Sequence, residues 1–415
     1  SLRGPRFFGC GLRMTEFWSA VAVQYVAFPA GIIPIASGLT VAGNGPRSPR
    51  GESRRIGIPA LSGPVEPELC VRSLITNPEP ACNPEYQPEN RAEIMRELTI
   101  DDAILEAFQE EMRRDDRVFH LAGSVGNLDS LAEEFGEARI RVCPISEEAY
   151  VGASIGAAGS GFRPIVSPGM MTFAFTAMDM IVNQMSKIHY MFGGQAAFPI
   201  VFRASTGGGR SAAAQHSQSP HPMFMGLAGL KIVMPTTPYD AKGLMKSAIR
   251  DNNPVIFFED QMLPRMGITG HVPEEEYTVP IGVADVKREG TDVTIVAISK
   301  MVVEAMAAAE TLAVEGISAE VVDPRTLVPM DSGAIRASVR KTGRIVIVDE
   351  ACITCGAAAE IAALVTEDTE TFHALKAPVK RVCAPDVPIP YAPIMEQFCI
   401  PDRDQVIAGV REVLG

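Results

Sequence analysis

The chain has 415 residues, 47% hydrophobic and 21% charged, with a formal net charge of -13. That length points to two domains plus an extra segment, and the balance is that of a globular chain. A chain this acidic lacks the cations that displace counterions from a phosphate backbone, which excludes wrapping nucleic acid as its task.

Up to about residue 55 the chain is arginine-rich and holds only two acids, Glu16 and Glu52. Its apolar run FWSAVAVQYVAFPAGIIPIASGLTVAG is long enough for a bilayer, but Pro29, Pro34 and several glycines interrupt it. Residues 57–90 are rich in proline and turn formers, with no amphipathic period. Three readings compete for residues 1–94: an organelle transit peptide, a membrane anchor, or upstream sequence from a start site set too early, with Met95 the true start. The third is preferred, as a disordered or mis-assigned extension, and no membrane association is expected. Ordered periodicity begins abruptly at MRELTIDDAILEAFQEEMRRDDRVFHLAG. There Ile100, Ile104, Leu105 and Phe108 share a helical face, and Asp101 and Asp102 occupy its first turn.

From Met95 onward short apolar runs alternate with helical patterns. RVFHLAG and ARIRVCPI read as strands around a helix near 128–135, followed by the small-residue helix EEAYVGASIGAAGSG. RPIVSP, FPIVFRAS and NPVIFFED read as strands, separated by a long helix AFTAMDMIVNQMSKIHYMF and by DAKGLMKSAIRD. A linker rich in proline, glycine and glutamate covers about 260–288, and a second strand–helix series follows from DVTIVAIS. Such alternation predicts an α/β fold of two doubly wound domains with parallel sheets covered on both faces, over 95–275 and 285–415. No G-x-G-x-x-G opens a helix after the first strand of the second series, and Gly207–Gly209 lacks the G-K-[ST] of a phosphate loop.

The eight cysteines are scattered, which suits free thiols in a reducing compartment. Cys352-x-x-Cys355 is the one close pair and lacks the second pair of a zinc ribbon, so it reads as structural or incidental.

Two stretches carry candidate chemistry. In CPISEEAYVGASIGAAGSG, Ser146 can cap a helix whose first turn holds Glu147 and Glu148; taken alone, both acids simply complement the helix dipole. Small residues at 152, 153, 156, 157, 158 and 160 leave a bare helix surface for a neighbouring helix or a bound ligand. In AAAQHSQSPHP, Pro220 and Pro222 keep His216 and His221 off one helix face, and no cysteine or carboxylate stands near to complete a zinc site. Two readings stand for His216: a loop histidine that meets a substrate, or one that only caps local backbone.

Taken together, PISEEAYVGASIGAAGSGFRPIV, AMDMIVNQMSKIHYMFGGQ, AAQHSQS, TPYDAKGLMKSAIRDNNPV, DPRTLVPMD and PDVPIPYAP resemble the β subunit of thiamine-diphosphate-dependent 2-oxoacid dehydrogenase E1 components. The resemblance runs from about Met95 to the C-terminus. It implies a pyrimidine-binding domain and then a transketolase-type C-terminal domain. It implies that Glu147 hydrogen-bonds N1′ of the cofactor's aminopyrimidine, favouring the imino tautomer that deprotonates the thiazolium C2. A carboxylate is needed because the ring nitrogen must gain proton character at neutral pH. Ile145 and Phe173 match positions that contact the same ring; alone, Phe173 reads as an ordinary core residue beside Phe175. His216 matches the active-site histidine near the substrate and incoming lipoyl group. His221 matches no functional position and reads as loop. Ile200, Ala248, Ile249, Asp251 and Asn253 match positions that bind potassium through backbone oxygens in some relatives.

The G-D-G motif with paired asparagines that holds magnesium and diphosphate does not occur. The resemblance places it on a separate E1 α subunit, which would share thiamine diphosphate, hold Mg2+ and complete an α2β2 heterotetramer serving a lipoyl acyltransferase E2. The expected activity is oxidative decarboxylation of a 2-oxoacid, pyruvate first, with acyl transfer to lipoamide, in a bacterial cytoplasm; a genuine transit peptide would place it in a mitochondrion or plastid. Acetoin cleavage, a non-catalytic scaffold of the same fold and a transketolase-like enzyme assembled from split chains are the alternatives. Departures stand out. LAGSVG puts Gly123 and Ser124 where relatives carry the two acids of GEEV, Ser167-Pro168-Gly169 replaces an acidic-aromatic pair, and Met223 replaces a tryptophan.

Overall fold

Thr99 marks the first boundary: its side chain accepts a hydrogen bond from Asp102 N, ending β1 (Met95–Thr99) and capping α1 (Ile100–Arg114). The computed structural model describes residues 95–123 and 128–415. The expectations for residues 1–94 and for Ser124 lie outside the described residues. After α1 come β2 (Val118–Ala122), α2 (Asp129–Phe135), β3 (Ile140–Val142), α3 (Glu147–Gly159) and β4 (Arg163–Met170). A 3-10 segment Met171–Ala177, a π-helical turn Met180–Met185 and a helical turn Ile188–Met191 lead to β5 (Val201–Thr206). Two short helical turns, Ala213–His216 and His221–Met225, precede β6 (Lys231–Val233), α4 (Pro238–Arg250), β7 (Val255–Asp260) and β8 (Thr269–Pro273). The second series runs β9 (Asp285–Arg288), β10 (Val293–Ala297), α5 (Met301–Val314), β11 (Ala319–Asp323), β12 (Thr326–Val328), α6 (Ser332–Thr342) and β13 (Ile345–Cys352). It closes with α7 (Ala357–Glu367), α8 (Thr369–Ala374), β14 (Lys380–Ala384), α9 (Pro393–Cys399) and α10 (Arg403–Leu414).

A seven-stranded sheet in the order β12-β6-β7-β5-β4-β2-β3 and a five-stranded sheet in the order β14-β13-β10-β11-β9 form the two layers. Central strands such as β2 and β10 are buried along their whole length, because helices cover both faces. Their near-continuous apolar runs, broken only by His120 and Thr294, follow from that. Both sheets are parallel except at one edge, where β12 and β9 run antiparallel. The crossing of β12 is not visible in local sequence: Thr326–Val328 belongs to the second series yet pairs with β6 of the first. Arg325, at φ 56°, begins the crossing and anchors it on Asp240 of α4 at 2.9 Å. One core accordingly runs through both halves, placing Phe224 and Phe258 in the same cluster as Ile347, Ile361 and Val365.

Three local expectations change. The stretch expected to be a linker contains a strand, β8, which pairs antiparallel with β1. The long helix expected over AFTAMDMIVNQMSKIHYMF is helical but irregular, passing from a 3-10 stretch through Met178–Asp179 into a π-helical turn and interrupted only at Ser186–Lys187. The hydroxyls of Thr176 and Ser186 bond the carbonyls of Phe173 and Val182, competing with a regular ladder. Ser146 occupies the cap position of α3 without capping it; its hydroxyl donates to Pro144 O at 3.1 Å. Part of the small-residue surface of α3 is met by neighbouring side chains: a Cβ on Gly152 would stand 3.2 Å from Met180 Sδ and one on Gly159 3.1 Å from the Phe198 ring, while Gly156 faces open space.

Two acids at the C-terminal ends of strands titrate late. Burial, with the Glu350 carboxylate beside it, pushes Asp260 up to about 7 against the pull of Lys300. Burial likewise pushes Asp323 up to about 7 against Lys287. Both groups hold a proton in the folded chain to a higher pH than in the unfolded one, whose carboxyls titrate near 3.9. Their contribution is therefore fully present below about pH 4 and lost as pH rises through about 7. We expect the thermal midpoint to fall between pH 6 and pH 8 by the equivalent of about 2–3 kcal/mol, and Asp260→Asn to remove about half of that fall. A midpoint flat over this range, or an equal fall in the variant, would refute the assignment.

Candidate active site

Glu147 is the first residue of α3, placed there because Pro144 ends the stretch after β3 and the next residues favour helix. Glu147 is half-buried, while Glu148 beside it is exposed. The hydroxyl of Thr176 lies 3.2 Å from Glu147 Oε2 and 2.8 Å from the carbonyl of Phe173. The Thr176 hydroxyl thus links the Phe173 backbone to the carboxylate. The geometry of the 3-10 segment also separates the two phenylalanines, since Phe175 packs on the core and Phe173 stands 38% exposed. Ile145, just ahead of the helix, is 85% exposed, far more than an isoleucine with only a core role would be.

The same segment reaches His216 from the other side. Thr172 Oγ1 lies 3.3 Å from His216 Nδ1, and the Phe173 ring meets the imidazole edge-on with centroids 5.4 Å apart. His216 is half-buried at the end of its helical turn. The arrangement is an open slot: a carboxylate on one side, an imidazole on the other, and exposed apolar groups between them. His221 is not part of it. It is buried, begins the next helical turn, and meets Asp349 at 3.1 Å through Nε2, so it is a core residue rather than loop. Tyr150, one turn after Glu147, was not singled out by sequence. Its hydroxyl is buried without a hydrogen-bond partner, and a Cβ on Gly123 would stand 3.8 Å from it. Burial and then the Glu147 charge hold this phenol well above its usual range. Met223 is exposed, and Gly169 takes φ 85° at a bulge between β4 and β5.

The five potassium candidates lie at the opposite ends of their strands and helix, near the start of β5 and the end of α4. The carbonyls of Ile249 and Asp251 converge on Arg163 Nη1, at 2.9 and 3.0 Å. Ile200 O accepts from Val255 N, and the side chain of Asn253 donates to Asp251 Oδ1. Among the described residues no group of three or more His, Cys, Asp or Glu is placed to hold a metal ion. No helix among them is long and apolar enough to cross a membrane.

Two family models match the chain: transketolase, pyrimidine binding domain, over residues 96–266, and transketolase, C-terminal domain, over residues 282–406. The acetoin:2,6-dichlorophenolindophenol oxidoreductase subunit beta of Bacillus subtilis (strain 168) is 44% identical over 339 residues, 77% of this chain and 98% of that protein. The pyruvate dehydrogenase E1 component subunit beta of Rickettsia felis is 43% identical over 324 residues, covering 76% and 98%. The 2-oxoisovalerate dehydrogenase subunit beta of B. subtilis is 44% identical over 327 residues, covering 77% and 99%. A solved structure described as split gene transketolase, inactive beta4 tetramer, superposes with a TM-score of 0.62 at 22% identity, over 76% of this chain and 98% of that one, and shows the two-domain α/β fold. The chain belongs to the E1 β subunits of thiamine-diphosphate-dependent 2-oxoacid dehydrogenases and their acetoin-cleaving relatives, built on the transketolase pyrimidine-binding and C-terminal domains.

Proposed function

We propose that this chain, paired with an E1 α subunit in an α2β2 heterotetramer, decarboxylates a 2-oxoacid, pyruvate first, and passes the acyl group to the lipoamide of an E2 acyltransferase. The observation that carries the reading is the single segment Thr172–Thr176, which touches Glu147 at one end and His216 at the other and lays Phe173 between them. Residues 95–275 form the half that meets the cofactor's pyrimidine, and 285–415 the C-terminal half.

The residues present fit the aminopyrimidine end of thiamine diphosphate. A flat heteroaromatic ring laid on exposed Phe173 and Ile145 would meet a carboxylate at its edge. When bound, the cofactor supplies the carbanion chemistry that splits the bond next to the carbonyl. This chain's part is to hold charge and protons around it. Glu147 holds a proton at N1′ through a charge-assisted hydrogen bond, and the Thr176 hydroxyl, whose one proton is shared with the Phe173 carbonyl, lies beside the carboxylate. His216, steadied by Thr172 and the Phe173 edge, orients the substrate carboxylate and carries a proton to or from the acyl group. The diphosphate and Mg2+ fall to the α subunit. A potassium ion at Ile200, Ala248, Ile249, Asp251 and Asn253 would share two carbonyls with Arg163, each of which keeps a second lone pair. The thiols of Cys143, Cys352, Cys355, Cys383 and Cys399 are free, which suits a reducing compartment.

Acetoin is the second reading, favoured by relatives at 44% and 45% identity that are named for it. The test is co-expression with an E1 α subunit. Thiamine-diphosphate-dependent turnover of pyruvate, branched-chain 2-oxoacids and acetoin is then measured, in potassium and in sodium buffers. Turnover that requires both chains and is fastest with pyruvate is the expected result. A stable complex idle on every substrate would turn the reading to a scaffold subunit, and equal rates in both buffers would remove the potassium site.

A further inference from the structure

The loop that carries His216 is gripped by the other half of the chain. Its backbone takes positive φ at every second residue: Gly207 (91°), Gly209 (106°), Ser211 (57°) and Ala213 (61°). Ser211 and Ala213 carry side chains, so this path is strained and persists only where its surroundings enforce it. The alternation turns successive N–H groups toward one side, as in an anion-binding nest. Here the anion is a side chain of this protein. Glu396 of α9 accepts from Gly209 N at 2.8 Å through Oε1 and from Ser211 N at 2.7 Å through Oε2. The hydroxyls of Ser211 and Ser217 lie 3.3 Å from the same carboxylate. Glu350, on β13, accepts from Gly208 N and lies 3.4 Å from the Ser219 hydroxyl, while its other oxygen pairs with Lys300. Asp349, one residue earlier, holds His221 at 3.1 Å.

All three carboxylates are buried, and the loop lies directly on them. A Cβ on Gly207 would stand 2.9 Å from Asp260 Oδ2 and 3.1 Å from Glu350 Oε1. One on Gly208 would stand 2.8 Å from Ile400 Cδ1. Glycine at these positions lets the backbone come close enough for its N–H groups to reach the acids.

We propose that Glu396, with Glu350 and Asp349 beside it, is a positioning residue: the C-terminal domain sets where His216 stands by gripping the loop on both sides of it. This rests on the reading of His216 as a group that meets the substrate. An ionised carboxylate accepts at both oxygens, whereas glutamine turns an NH2 toward one of the two N–H groups. Glu396→Gln therefore releases one side of the loop with almost no change in volume.

The experiment uses the full chain assembled with its E1 α subunit. Amide hydrogen exchange is followed on the peptide from Ser205 to His216, together with steady-state kinetics of Glu396→Gln, His216→Ala and the double variant. In Glu396→Gln we expect that peptide to exchange about tenfold faster and kcat/KM for the 2-oxoacid to fall about tenfold or more. The thiamine diphosphate concentration for half-maximal rate should not change. The double variant should be no slower than His216→Ala alone, since both changes remove one function. Unchanged exchange, or losses that multiply in the double variant, would overturn the proposal. A His216→Ala complex as active as the parent would sink the role of His216 and the positioning role with it, while the exchange rates still show whether the grip exists. Should Glu396→Gln fail to assemble, Glu350→Gln tests the same grip through Gly208.

Discussion

Glu147→Gln, assembled with the α subunit, is expected to lower turnover by about 10²–10⁴ while leaving the complex intact. Glutamine keeps the size and one acceptor oxygen, so Thr176 still has its partner. What it loses is the negative charge that makes a ring nitrogen take up proton character at neutral pH. Such a charge-assisted bond is worth about twice a neutral one. The measurement is single-turnover decarboxylation, with assembly checked by gel filtration. A loss smaller than about threefold, well below the range for a group that shares a proton with the reacting system, would show that another carboxylate meets the cofactor. Glu148, exposed on the next position of α3, would then be examined first.

The second large effect concerns stability. Arg203 on β5 makes a two-pronged contact with Glu259 on β7, Nε to Oε1 at 2.6 Å and Nη2 to Oε2 at 2.7 Å. Its guanidinium also lies 5.1 Å from the centre of the Phe108 ring on α1. Both side chains are largely removed from water, so Glu259→Ala leaves a cation with no carboxylate in contact. We expect a cost of about 3 kcal/mol, the lower part of the range for breaking a buried pair, and a fall in thermal midpoint of about 5 °C or more. Replacing both residues, as Arg203→Met with Glu259→Leu, should recover most of it, because no charge is then left buried. A single variant within about 1 °C of the parent, or a double variant no better than the single, would contradict this account.

The order of strands and helices was legible because a parallel sheet covered on both faces writes itself as near-continuous apolar runs. The run VFHLA is buried at every position of β2, as VTIVA is in β10. The start of α3 was legible too, since Pro144 and two acids mark it. The role of Ser146 was misjudged because a hydroxyl at a helix start has a second acceptor within reach, here Pro144 O. The segment after β4 is helical, as its apolar spacing predicts, but its change from 3-10 to π-helical period depends on where hydroxyls such as those of Thr176 and Ser186 find their acceptors.

By itself the sequence determined the α/β class, the family and the candidate residues Glu147, Phe173 and His216, because local pattern and short motifs carry that information. Only the tertiary structure decided that Phe173, not Phe175, faces outward, that β12 crosses into the first sheet, and that Glu350 and Glu396 hold a loop more than a hundred residues earlier in the chain. Hydrogen bonds at such separations leave no local trace. A buried glutamate looks the same in sequence as a solvated one, and burial is set by the packing of distant segments.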